Sequence, residues 1–372
     1  TRIMQEILLG AGGVRLLRRL GVEPSVYHMN EGHAAFLALE LMRERIAEGA
    51  GFEAALAGVK QQCLFTTHTP VPAGHDRFSR ELMDYGARHF YRQLGVSAGE
   101  LMALGRVDPD DANETFCMTV LALKAARAAN GVSELHGQIS REMWHGLFPD
   151  GTVDEVPIGH VTNGIHLAGW MKGPVRKFWR RKLGQTEPAA DWAMELAKPE
   201  FWARMEEASF VSDEELWALR YRLRRELIEF ARRRLQDQEH RSEPSDFIAF
   251  DHLLNPAALT IGFARRFATY KRAPLVFDHF DKFVGLARDL RRPVQFVFAG
   301  KAHPRDDEGK RLIQKIIHMS RHSKLSGHLV FLENYDVHVA RQMVSGCDVW
   351  LNNPRRPLEA SGTSGMKATC HG

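Results

Sequence analysis

The sequence predicts an α/β protein with parallel sheets in two domains, and three observations carry that expectation. From residue 257 onward, apolar runs of strand length alternate with amphipathic stretches of helix length. Parallel strands joined by right-handed helical crossovers produce that alternation. Residues 1–165 alternate in the same way, with turn residues closing each apolar run. The length of 372 residues suits two domains at roughly 150 residues apiece.

In chain order, the first residues already show a helical pattern. Val26-Tyr27-His28-Met29 reads as a strand, after which Asn30 is expected to cap a helix carrying Phe36, Leu37, Leu41 and Ile46. Cys63-Leu64-Phe65-Thr66 is a second strand, closed by the Pro/Gly-rich residues 69–74. Residues 113–129 read as one helix, and residues 161–165 as a turn. Residues 170–240 are rich in Trp, Arg and Glu and read as wholly helical. There Leu216, Leu219, Leu223, Leu227 and Phe230 form one apolar stripe. Residues 241–251, with Glu243-Pro244-Ser245, read as a flexible connection. Beyond it the expected strands are 259–263, 294–299, 329–332 and 349–351. Helices over 274–290, 307–322 and 339–344 separate them.

Composition narrows the class. Hydrophobic residues at 44% and charged residues at 26% exclude a mainly disordered chain. The 50 basic and 46 acidic residues leave a net charge of +4. That excess is too slight to imply nucleic acid without a concentrated patch. Cys63, Cys117, Cys347 and Cys370 are far apart and form no CxxC pair, so neither a disulfide framework nor a zinc ribbon is indicated. Free thiols point to a reducing, cytoplasmic compartment. No apolar run approaches the roughly 18 residues of a membrane span, and no signal-peptide pattern stands at the start. The chain begins at Thr1 and stops at Gly372 just after a glycine-rich turn, so it reads as an internal fragment of a longer protein.

Ligands of an open parallel sheet bind beyond the carboxyl ends of its strands. Four segments meet that rim in the last third of the chain. They are Ala264 through Arg272 with Arg265, Arg266, Tyr270 and Lys271; Gly300-Lys301-Ala302-His303; Glu333-Asn334-Tyr335; and Glu359-Ala360-Ser361-Gly362-Thr363-Ser364-Gly365-Met366-Lys367. Cations and a glycine-rich turn converging on one rim make an anion site, because glycine lets backbone N–H groups approach and arginine forks match phosphate oxygens. The turn is neither a Walker A loop nor a dinucleotide fingerprint. Taken alone, Gly-Thr-Ser-Gly is a structural turn; Lys367 two residues beyond it suggests a covalent or phosphate-contacting lysine.

Those residues, with others upstream, resemble the α-glucan (glycogen/starch/maltodextrin) phosphorylases, and most of all their shorter bacterial and archaeal branch. The resemblance runs almost end to end. It is carried by Tyr27-His28-Met29-Asn30-Glu31-Gly32-His33, Phe65-Thr66-Thr67-His68-Thr69-Pro70, Asn130-Gly131-Val132-Ser133-Glu134-Leu135-His136 and Thr162-Asn163-Gly164-Ile165. Further matches are Arg265-Arg266 with Tyr270-Lys271-Arg272, Gly300-Lys301-Ala302, Phe331-Leu332-Glu333-Asn334-Tyr335, and Glu359 through Lys367.

The resemblance implies a GT-B fold, two Rossmann-like domains whose parallel sheets face a cleft, both incomplete in this chain. Residues 1–165 would belong to the N-terminal glucan domain. Residues 166–372 would belong to the C-terminal cofactor domain, helical over 170–240 and Rossmann-like over 257–372. It implies pyridoxal 5′-phosphate as a Schiff base on Lys367, its phosphate relaying a proton while inorganic phosphate cleaves a terminal α-1,4 glucosyl unit with retention, giving glucose 1-phosphate. Two phosphates of about −1.5 charge, taken about 4.5 Å apart, repel by roughly 8 kcal/mol at an effective dielectric near 20. A cationic cage is therefore needed. By match, Arg265 would contact the cofactor phosphate, Arg266 and Lys271 would hold substrate phosphate, and Tyr270 would touch phosphate and sugar. His136 and Asn163 would address the 6-hydroxyl; Glu359, Ser361 and Gly362 the 3-hydroxyl side. Trp170 and Tyr335 would pack near the pyridoxal, Thr363 and Ser364 would bind its phosphate, and Glu31 and His33 would border the sugar pocket.

Two positions depart from the family pattern. Arg265 stands where longer members carry lysine, and Cys370-His371-Gly372 replaces a Leu-Asn-Gly ending. The family's upstream glycine-rich loop and downstream helices are missing, so this piece alone is expected to be inactive. A nucleotide-sugar glucosyltransferase of the same architecture and a non-catalytic glucan-binding relative are the competing readings. No nucleic acid, membrane or metal is expected, and a homo-oligomer is compatible with the pattern. His318 and His322, four apart on a helix, have no third ligand and read as a solvated face. Residues 176–182 interleave Arg and Lys with Phe178 and Trp179, and read as an amphipathic helix with snorkelling arginines.

Overall fold

The computed structural model describes residues 1–184, 192–207, 209–239 and 250–372. Two compact units divide it: Thr1–Asn163 with Arg356–Ser361, and Gly164–Arg355 with Gly362–Gly372. The short Arg356–Ser361 segment, which carries Glu359 and Ser361, thus groups with the first unit although it follows the second in sequence.

The first unit is built on a parallel sheet of β1 (Tyr27–Asn30), β2 (Cys63–Thr66), β5 (Ala128–Gly131) and β6 (Ile158–His160), in the order β1-β2-β5-β6. A two-residue antiparallel pair, β3 (Arg77–Phe78) and β4 (Phe116–Cys117), lies apart from it. Helices Arg2–Arg19, Phe36–Ala47 and Phe52–Gln62 contribute to a core in which Met29, Phe36, Phe65, Phe90 and Phe116 are fully buried. Asn30 does not cap the Phe36–Ala47 helix. It ends β1, Glu31 turns into the left-handed region at φ 68°, and a 3-10 turn over Gly32–Ala34 precedes the helix. Residues 113–129 are likewise not one helix but β4, the helix Met118–Lys124 and the start of β5. Met118 through Leu123 are all buried, so the apolar run there has no period from which its helical extent could be read. Strand β6, three residues with only Ile158 buried, precedes the turn expected over residues 161–165 and carries no apolar run to announce it.

In the second unit, β7 (Leu259–Ala264), β8 (Val294–Ala299), β9 (Leu329–Leu332) and β10 (Val349–Trp350) form a parallel sheet in the order β10-β7-β8-β9. Strands β8 and β9 match their expected bounds, because apolar runs, broken in β8 only by buried Gln295, fit strands buried on both faces. The crossover expected over residues 274–290 is a 3-10 segment, Ala273–Phe277, followed by the helix Phe280–Ala287. Asp307–Ser320 and Val337–Gly346 are the other two crossovers. The long Asp213–Glu239 helix buries Leu219, Leu223 and Leu227 of its stripe. It is fastened at Asp348, which accepts from Arg224 Nη1 at 2.7 Å and from the Thr260 N–H at 2.8 Å. The connection expected over residues 241–251 lies, through residue 249, outside the described residues. Helix Gly173–Lys182 buries Phe178 and Trp179 and pairs Lys182 with Glu215; its cations flank an apolar face.

Candidate active site

Polar side chains collect at the carboxyl edge of the first sheet because the parallel ladder runs on past the strands. Glu31 N–H donates to Thr66 C=O, Thr67 N–H to Asn130 C=O and Val161 N–H to Gly131 C=O, at 2.8–3.0 Å. Glu31, almost buried, uses its carboxylate to hold the loop after β2. It accepts from the His68 N–H at 2.9 Å and from the Thr69 hydroxyl at 2.6 Å. His68 in turn bonds Asn30 Oδ1 through Nε2. His136, in the helix Glu134–Trp144, accepts from the Val132 N–H at Nδ1, 3.2 Å. That bond places the proton of the neutral ring on Nε2. Nε2 is buried without a well-formed hydrogen bond, with the Thr69 backbone nearby, and burial lowers the imidazole pKa. Asn163 is fixed through its N–H, which donates to Val132 C=O at 3.1 Å. Ser133 donates to Ala360 C=O at 2.6 Å, which ties the Glu359–Ser361 stretch to this edge. Ser361 Oγ is buried without a hydrogen bond.

His33 has a different setting. Its Nδ1 lies 3.0 Å from Asp76 and 2.7 Å from Arg2 Nη2, in a cluster with buried Glu6. Among the described residues, Glu6, His33 and Asp76 are close enough to share an ion, but the Arg2 guanidinium already ion-pairs with Glu6 and hydrogen-bonds His33 and Asp76. His322, of the His318/His322 pair, packs edge-on against Phe280 and accepts from the Lys324 N–H.

At the carboxyl edge of the second sheet, Arg265 follows β7 and is 6% exposed. Its Nη1 donates to Asn352 Oδ1, beyond β10, at 2.5 Å. Gly300, at the end of β8, lets Arg265 come close: a Cβ there would strike the Arg265 carbonyl and the Phe267 ring. Arg266 is exposed; Lys271 is buried, with its Nζ 4.9 Å from the Tyr270 ring centre. Arg272, at φ 52°, bends the loop back and donates to Asn353 C=O at 2.7 Å. Tyr335, after β9, is partly buried, which raises its phenol pKa while Arg265 opposes the rise.

Lys367 lies on the helix Thr363–Thr369, which opens at Gly362 with φ 76°. Its Nζ is 4.3 Å from the Trp170 ring centre, and Arg341 faces the same indole at 5.6 Å. Desolvation lowers the Lys367 pKa. Ser364 Oγ accepts from Trp350 Nε1 at 3.1 Å. The second unit therefore brings together Arg265, Tyr335 and Asn352 at its sheet edge, and Trp170 with Lys367 beside the glycine-rich turn. His68, Asn30, Asn352, Arg341 and His371 were not among the expected site residues. Position at or just past a strand end could have flagged the first three, and the departing Cys370-His371-Gly372 ending pointed at His371; Arg341 gave no signal in sequence.

This chain matches, over residues 17–372, the family model described as carbohydrate phosphorylase. It is 41% identical to a maltodextrin phosphorylase of Thermococcus litoralis, over all of this chain and 42% of that protein. It is 42% identical to a glycogen phosphorylase of Mycobacterium tuberculosis, over all of this chain and 43% of that protein. A glycogen phosphorylase of Aquifex aeolicus is 36% identical, with all of this chain aligned to 52% of its length. The chain thus spans about half the length of these curated relatives.

Proposed function

Because this chain belongs to the carbohydrate phosphorylase family, we propose that the protein is an α-glucan phosphorylase. It splits terminal α-1,4-linked glucosyl units with inorganic phosphate, retaining configuration and giving α-glucose 1-phosphate, and it carries pyridoxal 5′-phosphate on Lys367. Its partners are the glucan and phosphate, and its setting the cytoplasm, consistent with four unpaired cysteines. The named relatives support the substrate class.

The observation that carries the cofactor assignment is the Lys367 amine over the Trp170 indole. A desolvated lysine with a depressed pKa keeps more of its neutral, carbonyl-reactive form. The surroundings fit a phosphate-bearing aldehyde. A Cβ added at Gly365 would meet nothing within 4 Å, leaving room beside the turn. Arg265 and Lys271 both stand just past β7 at the sheet edge, where a guanidinium and an ammonium offer donors suited to phosphate oxygens. Thr363, Ser364 and Arg265 would hold the cofactor phosphate, Trp170 and Tyr335 the ring. When bound, the group supplies a phosphate whose second pKa near 6 suits proton transfer at neutral pH.

The chain's own residues do the rest. Arg266 and Lys271 neutralise substrate phosphate, and Tyr270, held against Lys271, borders it. Asn352 fixes the Arg265 fork so that it need not reorganise during reaction. His136, with Nδ1 occupied, has Nε2–H available to a sugar hydroxyl; Asn163, Glu359, Ser361 and Gly362 complete the sugar contacts, and Glu31 holds the loop that borders them. Borohydride reduction of the full-length protein followed by peptide mass mapping tests the assignment. A pyridoxyl group on the Lys367 peptide is expected. An unmodified Lys367 in folded protein supplied with pyridoxal phosphate would sink it and favour a nucleotide-sugar glucosyltransferase.

A further inference from the structure

Lys367 is held from its backbone as well as at its amine. Past the end of its helix, the fully buried His371 folds back so that Nδ1 lies 2.8 Å from the Lys367 carbonyl oxygen. A carbonyl can only accept, so Nδ1 carries the proton. Nε2 is then the acceptor of the neutral ring, and the Lys172 N–H donates to it at 3.3 Å. Lys172 is two residues beyond Trp170, whose indole faces the Lys367 amine. A closed circuit results: amine, indole, Lys172 N–H, imidazole, Lys367 carbonyl.

Both ends of the circuit are anchored. Arg220 donates to His371 C=O at 3.3 Å and to Ser345 C=O at 2.9 Å. Lys172 Nζ reaches Gln342 at 2.7 Å and Glu226 at 2.9 Å. The other ionisable groups around the ring are Arg220, Lys367 and Cys370, whose Sγ is 3.4 Å from Nδ1. A protonated imidazole would point an N–H at the Lys172 N–H, so the bridge needs the neutral ring.

We propose that His371 is the positioning residue for Lys367, its imidazole bridging the Lys367 carbonyl and the Lys172 N–H so that the amine stays against Trp170. The role matters to catalysis only if Lys367 carries pyridoxal as argued above, but it is tested without the cofactor. The full-length protein, freed of any bound aldehyde, is acylated with acetic anhydride across a pH series, and modification of Lys367 is followed by peptide mass mapping. Two variants break the bridge from opposite sides: His371→Phe removes the imidazole, and Lys172→Pro removes the donating N–H together with the Lys172 side chain. Lys172 has φ −68°, which proline accepts, and Lys172→Ala controls for the lost side chain.

The expected result is a rise of about one unit in the pH midpoint of Lys367 acylation, a tenfold change in neutral amine at fixed pH, in Lys172→Pro and His371→Phe but not in Lys172→Ala. Unchanged midpoints in folded Lys172→Pro overturn the proposal, whether or not His371→Phe folds. Borohydride labelling of the unaltered protein reports separately on the cofactor, so loss of that assignment is not confused with loss of this one.

Discussion

Arg265 and Asn352 lie at the ends of adjacent strands, β7 and β10, and the guanidinium of the first donates to the side-chain oxygen of the second at 2.5 Å. This bond helps orient a buried cation. Asn352→Ala is expected to leave the charge in place but loosen the orientation of the fork. Binding of pyridoxal phosphate to the full-length protein should weaken about tenfold, an effect of roughly 1.4 kcal/mol. Arg265→Lys should bind better than Arg265→Ala, because a point charge still attracts phosphate although it loses the bidentate fit. Titration of the freed protein by pyridoxal fluorescence measures both; equal affinities for Asn352→Ala and the unaltered protein would remove Asn352 from the site.

Lys367→Arg separates charge from nucleophile. The guanidinium can stack on Trp170 much as the ammonium does, but it offers no neutral amine at working pH. Borohydride-stable labelling should disappear entirely while the urea midpoint moves by the equivalent of about 1 kcal/mol or less. Label persisting on another lysine would relocate the attachment point.

Much of this arrangement was legible in the sequence, and for a physical reason. Strand β9 is a continuous apolar run and β8 one broken only by Gln295, so their ends, and with them Gly300 and Glu333, could be located. Arg265 and Tyr335 followed from standing just beyond β7 and β9, and Lys367 from the glycine-rich turn before it. What could not be read depends on backbone bending back on itself. Asn30 looks like a helix cap, yet the left-handed turn at Glu31 makes it a strand end. His371 touches Lys172, distant in sequence, and no local pattern encodes that contact. His33 follows a motif that suggests a pocket, yet its bonds go to Arg2 and Asp76, which nothing in the motif specifies.

The buried imidazole of His371 makes stability depend on acid pH. Burial lowers its pKa to about 4, against about 6.5 in an unfolded chain. Between those values the unfolded state binds the extra proton, so stability is complete above about pH 6.5 and falls as pH drops toward 4. The full span corresponds to about 3 kcal/mol. Urea unfolding at pH 7, 5.5 and 4.5 should show a shallower loss in His371→Asn than in the unaltered protein. Parallel slopes would mean that the ring is already protonated in the fold.

Glu6 makes the opposite prediction. Its carboxylate is 1% exposed, while its ion-pair partner Arg2 is 47% exposed. Burial therefore outweighs the attraction, and the Glu6 pKa is pushed up to about 8; neighbouring Asp76, bonded to Arg2, is lowered. Between the unfolded value near 4.5 and about 8 the folded state holds the extra proton. Stability should accordingly fall as pH rises through that window, by at most about 1.4 kcal/mol per pH unit. Glu6→Gln keeps the neutral shape and removes the titration, so it should match the unaltered protein at pH 5 and exceed it at pH 8. Thermal midpoints at the two pH values decide the matter. A Glu6→Gln variant that is less stable at pH 8 would mean that the Arg2 pair outweighs the cost of burying the charge.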